Sequence, residues 1–109
     1  MSSFEDQSQR KLSPFDRIAE ELQQLRLDAG DVPYAEIVRR ISRHRISEGV
    51  DPVASRPARS TVYDAFRHGR TRLNVELVSE IVRALNGTDE DIENWRNRCL
   101  QARSDQASN

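Results

Sequence analysis

Several residue types are scarce in this chain, and each shortage narrows what it can be. The single cysteine, Cys99, excludes an intramolecular disulfide and fits a reducing compartment. No run of roughly 18 or more apolar residues exists, so no membrane span is expected. The start, Met1-Ser2-Ser3-Phe4-Glu5-Asp6, has neither a basic opening nor an apolar segment, so a secretory signal is not expected and the location read from the sequence is cytoplasmic. No Gly-rich phosphate loop, Gly-x-Ser-x-Gly elbow or paired His-Glu motif occurs. His44, His68 and Cys99 do not make a tetrahedral ligand set. The expectation is therefore a non-enzyme with no cofactor and no metal. Apolar and polar residues alternate for only a few positions at a time, which argues against strands.

What the chain does have is charge sorted by position. Its 109 residues suit one small domain, with 36% hydrophobic and 6% aromatic residues for a modest core. The formal net charge is only −1. Residues 1–35 carry net −3, residues 36–72 carry nine arginines against four carboxylates for net +5, and residues 73–109 carry net −3. Lys11 is the one lysine among the 17 Lys and Arg residues. Arginine suits bidentate contact with phosphate or guanine better than lysine does. A near-neutral total thus does not exclude nucleic acid. It points to a protein with one basic face.

The organisation reads as about five helices between two polar tails, 1–12 and 103–109, with the domain over 13–102. Ser13-Pro14-Phe15-Asp16 opens the first helix, Ser13 as cap and Asp16 as partner in a capping box. Phe15, Ile18, Ala19, Leu22, Leu25 and Ala29 follow at helical spacing until Gly30. A second helix starts near Val32-Pro33 with Tyr34, Ile37, Val38 and Ile41 as its stripe. Residues 47–57, with Gly49 and Pro52, break it. A third helix spans about Ala58 to Arg67, with Val62, Ala65 and Phe66 inward. The fourth opens at Leu73-Asn74 and carries Leu77, Val78, Ile81, Val82 and Leu85 to Asn86-Gly87. Thr88 and Asp91 form a second capping box, which opens a helix with Ile92, Trp95, Cys99 and Ala102.

The informative stretch is Arg59-Ser60-Thr61-Val62-Tyr63-Asp64-Ala65-Phe66-Arg67-His68-Gly69-Arg70. Small polar and long basic side chains face outward on a short helix followed by arginines. That is the chemistry a major-groove reading helix needs: close approach, polar tips at base edges, and cations for phosphates. The string Ser60-Thr61-Val62, followed by Phe66 and Gly69, resembles the recognition helix of the lambda-repressor and Cro class of helix-turn-helix proteins. The preceding Leu25 to Gly30, the helix with Glu36-Ile37-Val38-Arg39-Arg40, and Leu77 to Leu85 fit the same order. The resemblance covers roughly 14–87, and the helix with Trp95 resembles an extension in some actinobacterial members. The turn between the second and third helices departs from it, being some ten residues against the usual three or four.

By position, the resemblance implies base contacts from Arg59, Ser60, Tyr63 and Asp64. It implies backbone contacts from Thr61, Arg67, Arg70 and Arg72, with Arg39, Arg40 and Arg43 on the second helix. The partner would be double-stranded DNA, and the protein a small bacterial or phage transcriptional regulator. Asp64 has a second role open to it, holding a neighbouring arginine. Trp95 reads as a core residue or else as part of a dimer interface, and the fifth helix, with Ile92, Trp95 and Leu100, is the candidate surface for a homodimer. The competing expectation is a protein-interaction module that keeps the helix-turn-helix core and does not bind DNA.

Overall fold

The computed structural model describes residues 12–108, and its first helix, α1 (Pro14–Asp28), begins where the sequence places a cap. The Asp16 amide donates to Ser13 Oγ at 3.1 Å, and Pro14, which has no N–H to leave unpaired, takes the first helical position. α2 (Tyr34–Ser47) buries Ile37, Val38 and Ile41. A 3₁₀ turn (Pro52–Ala54) interrupts the connector to α3 (Arg59–Asp64). α4 (Val75–Ala84) and α5 (Asp89–Ser108) complete an all-α fold of five helices, with no strand among the described residues.

Three of the helices end in the same way. After α1, α2 and α4 the chain passes through a left-handed residue: Gly30 (φ 109°), Gly49 (φ 98°) and Asn86 (φ 73°). The next amide then reaches back five residues: Asp31 to Arg26, Val50 to Arg45, and Gly87 to Val82. These paired bonds satisfy carbonyls that a helix end would otherwise leave open. At Gly87 the requirement is space, because a Cβ there would stand 2.6 Å from Val82 Cγ1.

α4 is the central element. Leu77, Val78, Ile81 and Val82 are buried, and α5 packs along both α4 and α1 while α2 packs on α3 and α4. Ile92, Trp95, Cys99 and Ala102 form the face that α5 turns inward. This corrects the expected dimer surface: Ile92 and Trp95 are only 8% and 9% exposed, committed to the chain's own core. Leu100 alone of the three is open, at 49%. The expected tail over 103–109 is also corrected, since α5 continues to Ser108. No glycine or proline follows Gly87, so nothing stops the helix. The expected tail 1–12 lies outside the described residues except for Leu12.

No described helix is long and apolar enough to cross a membrane.

Candidate nucleic-acid interface

α3 is shorter than its apolar spacing suggests, Arg59–Asp64 rather than Ala58 to Arg67. Ala58 offers no side-chain cap, and the amides of Ala65, Phe66 and Arg67 bond three residues back, so the helix tightens into a turn. Val62 and Phe66 are buried as expected, and Ala65 is half-buried. Arg59, Ser60, Thr61, Tyr63 and Arg67 are exposed. Tyr63 meets Tyr34 edge-on with ring centres 5.2 Å apart, and Tyr34 meets Phe66 at the same distance.

α1 holds the end of this short helix in place. Gln23 Nε2 donates to the Phe66 carbonyl. Asp16 Oδ1 accepts the Gly69 amide at 2.9 Å, and His68 Nε2 lies 3.1 Å from Glu20 Oε2. The Asp16 carboxylate is therefore used across the fold, not in the local capping box expected from Ser13-x-x-Asp16. Gly69 takes a positive φ of 80°, so the chain turns sharply here and releases Arg70 and Arg72 on the far side.

These arginines converge. Thr61, Asp64, Arg67, Arg70 and Arg72 line one concavity of about 220 Å³, floored by Phe15, Ala19, Leu73, Leu77 and Val78. Asp64 Oδ1 accepts from Arg67 Nε at 3.1 Å, so Asp64 orients an arginine, the second of the roles open to it. Asn74, which sequence reasoning placed only as a helix start, also lines the concavity while its Oδ1 caps α4 through the Leu77 amide. Three guanidinium groups beside the N-terminal end of α4 make a site suited to an anion. Five of the eleven residues singled out from the sequence thus share one wall, next to the exposed face that carries Arg59, Ser60 and Tyr63.

The α2 arginines sit elsewhere. Glu36 pairs with Arg39 at 2.8 Å and Arg40 at 2.9 Å. The Arg40 hydrogen bond, helped by the neighbouring arginine charges and opposed by desolvation, holds the Glu36 carboxyl below its ordinary value. Arg40 Nη1 also donates to the Ala84 carbonyl at the far end of α4. Arg43 lines a different groove with Arg40, His44, Arg83 and Asn86. Arg45 is clamped by both Glu80 carboxylate oxygens at 2.7 Å, which raises its already high affinity for its proton. Four of the nine central arginines are thus paired with three carboxylates, on α2, α3 and α4. Arg43, Arg56, Arg59, Arg70 and Arg72 make no ion pair among the described residues.

Burial pushes the Cys99 thiol up to about 11, so it is an inert core group. Among the described residues no three His, Cys, Asp or Glu side chains gather as a metal site. No protein-family model matches the chain, and neither a curated protein nor a solved structure matches it.

Proposed function

We propose that the chain is a sequence-specific DNA-binding protein of the helix-turn-helix kind, with α3 as its major-groove reading helix. The observation that carries this is the convergence of Arg67, Arg70 and Arg72 on one concavity beside an exposed polar helix face. Arg59, Ser60 and Tyr63 supply donors and acceptors for base edges, while the concavity seats a backbone phosphate. Asp64 positions Arg67 for that contact. The order of elements around α3 supports kinship with the lambda-repressor class and, with it, a role as a small bacterial or phage regulator in the cytoplasm.

Arg39, Arg40 and Arg43 do not line this concavity; Glu36 pairs with the first two, and Arg40 and Arg43 line a groove toward the other end of α4. The interaction-module alternative gains where the central arginines scatter or pair with carboxylates of α1 or α5. The pairs formed lie on α2, α3 and α4, which weighs against it, while the placing of Arg40 and Arg43 in a separate groove weighs for it.

Selection from a random duplex library at two salt concentrations tests the proposal. The expected result is an enriched sequence, with affinity falling steeply in salt by about 0.9 in log–log slope per phosphate contact. Arg70→Ala with Arg72→Ala should reduce that slope, and Arg59→Ala should relax base preference at one position by about 1–3 kcal/mol. No enriched sequence, or a slope unchanged in the double variant, would refute the reading.

A further inference from the structure

The connector between α2 and α3 is long, yet it is built as a fixed element. Ser55 is fully buried, and its hydroxyl bonds the Pro52 carbonyl at 2.9 Å and Ser42 Oγ of α2 at 2.7 Å. Arg45, itself held by Glu80, donates to the Ser55 carbonyl at 3.3 Å. Asp51 Oδ1 caps the 3₁₀ turn through the Val53 amide at 2.8 Å. A solvent loop needs none of this. The connector is pinned to α2 by buried polar groups that would be costly to leave unpaired, and through Arg45 the same network reaches Glu80 of α4.

Its two sides differ in chemistry. Glu48, Val50 and Ala54 line the cavity against α4 and α5. Val53 and Arg56 do not line it. Val53 is 93% exposed at the tip of the turn, Pro52 beside it is exposed, and Arg56 is exposed with no carboxylate partner among the described residues. The one carboxylate near the tip, Asp51, is engaged with an amide. The solvent side is thus an apolar tip followed by a cation. Arg56 is three residues before Arg59, so their Cα atoms are at most about 10 Å apart.

We infer that this connector is a second DNA contact, in which Arg56 and the Pro52-Val53 tip enter the minor groove flanking the bases read by α3. The inference rests on the DNA-binding reading above and extends its interface past the start of α3. An arginine beside an apolar wedge is the side-chain set that minor-groove contacts use, the cation for the groove's negative potential and the wedge for the sugar and base edges. The rigid mounting fits this role, since a tip held in place enters a groove without the ordering cost of a mobile loop.

The test uses the full chain, the duplex selected above, and the variants Val53→Asp and Arg56→Ala, whose side chains are exposed and whose helicity should match the parent. Each variant should shorten the protected footprint on one flank of the site. Val53→Asp should weaken binding about tenfold, and Arg56→Ala should lower the salt slope by about 0.9. In the parent, replacing flanking G·C pairs by I·C removes the guanine amine from the minor groove alone and should change affinity. In a chain carrying both Val53→Asp and Arg56→Ala the same replacement should change nothing. Equal footprints, slopes and I·C responses in parent and variants, with Arg59→Ala still impaired, would overturn the minor-groove contact and leave the reading helix standing. A parent that enriches no duplex would overturn both.

Discussion

At the α4–α5 corner each helix end is closed by residues within a few positions of it. Asn86 and Gly87 return α4's last carbonyls, and Thr88 and Asp91 cap α5 reciprocally, Thr88 Oγ1 accepting the Asp91 amide at 3.1 Å and Asp91 accepting the Thr88 amide at 2.9 Å. α3 has no such support. It is six residues long, uncapped by any side chain, and its far end is held by Asp16, Glu20 and Gln23, some fifty residues away in sequence for the Asp16 contact. A helix this short does not persist on local bonds alone. The surface proposed to read DNA is therefore the part of the fold most dependent on a distant helix, while the corner is self-sufficient.

The strongest test of that contrast begins in the core cluster to which both regions contribute, with Val62 and Phe66 from around α3 and Ile92 from α5. Ile81 is fully buried at the centre of α4, and Ile81→Ala should cost about 2–5 kcal/mol, read as a lower midpoint in denaturant. Corner and α3 should unfold together, with coincident transitions by different probes. If hydrogen exchange instead shows α5 intact after α3 has melted, the two regions do not share one cooperative core.

Thr88→Ala isolates the corner. Loss of the cap should cost about 1 kcal/mol, with faster exchange in the first turn of α5 and unchanged exchange at Phe66 to Gly69. Altered exchange at α3 would show that the corner is not self-contained.

Asp16→Ala isolates α3. The lost bond, an exposed one, to the Gly69 amide should change global stability by about 0.5–1 kcal/mol, at or below the cap loss, yet raise exchange at Gly69 sharply. DNA affinity should fall although Asp16 faces no base, because Arg70 and Arg72 hang from that turn. Unchanged exchange at Gly69 would remove α1 from the account of how α3 is held.

The same contrast explains what was legible in the sequence. Ser13-Pro14, Asn86-Gly87 and Thr88-Asp91 act through neighbours, so their pattern is visible in a window of a few residues. The inward set of α4 was visible because its period is strict. Asp16 has a local and a distant partner for the same carboxylate, and only the fold decides between them. Apolar spacing overstates the length of α3 because it continues through Phe66 after the hydrogen bonding has changed. Ile92 and Trp95 fit both a core face and a dimer surface in the sequence, because a stripe on a helix does not say whether it meets its own chain or another; the fold takes the core reading. Among the basic residues, type and rough location were readable. The pairs of Glu36 with Arg39 and Arg40 and of Asp64 with Arg67 sit one helical turn apart and fall within a short window, whereas the Arg45–Glu80 pair bridges α2 and α4 and only the fold shows it.

The smallest expected effect lies on α2, away from both regions. The folded Glu36 carboxyl is held below its ordinary value, first by the Arg40 hydrogen bond and then by the neighbouring charges of Arg39, Arg40 and Arg43. The unfolded chain therefore binds more protons at this site in mildly acidic solution. Stability from Glu36 is present above the ordinary carboxylate value of 4.5 and is lost as pH falls through the lower folded value. Glu36→Gln should flatten that part of the acid limb, measured as denaturation midpoint against pH, and leave the neutral limb's slope unchanged. It also frees Arg39 and Arg40, which tests their exclusion from the interface. If the salt slope for DNA stays at the parent value after two guanidinium groups lose their carboxylate, α2 is a solvated flank. If the slope steepens by one or two contacts, the α2 arginines were within reach of the duplex and were silenced only by Glu36.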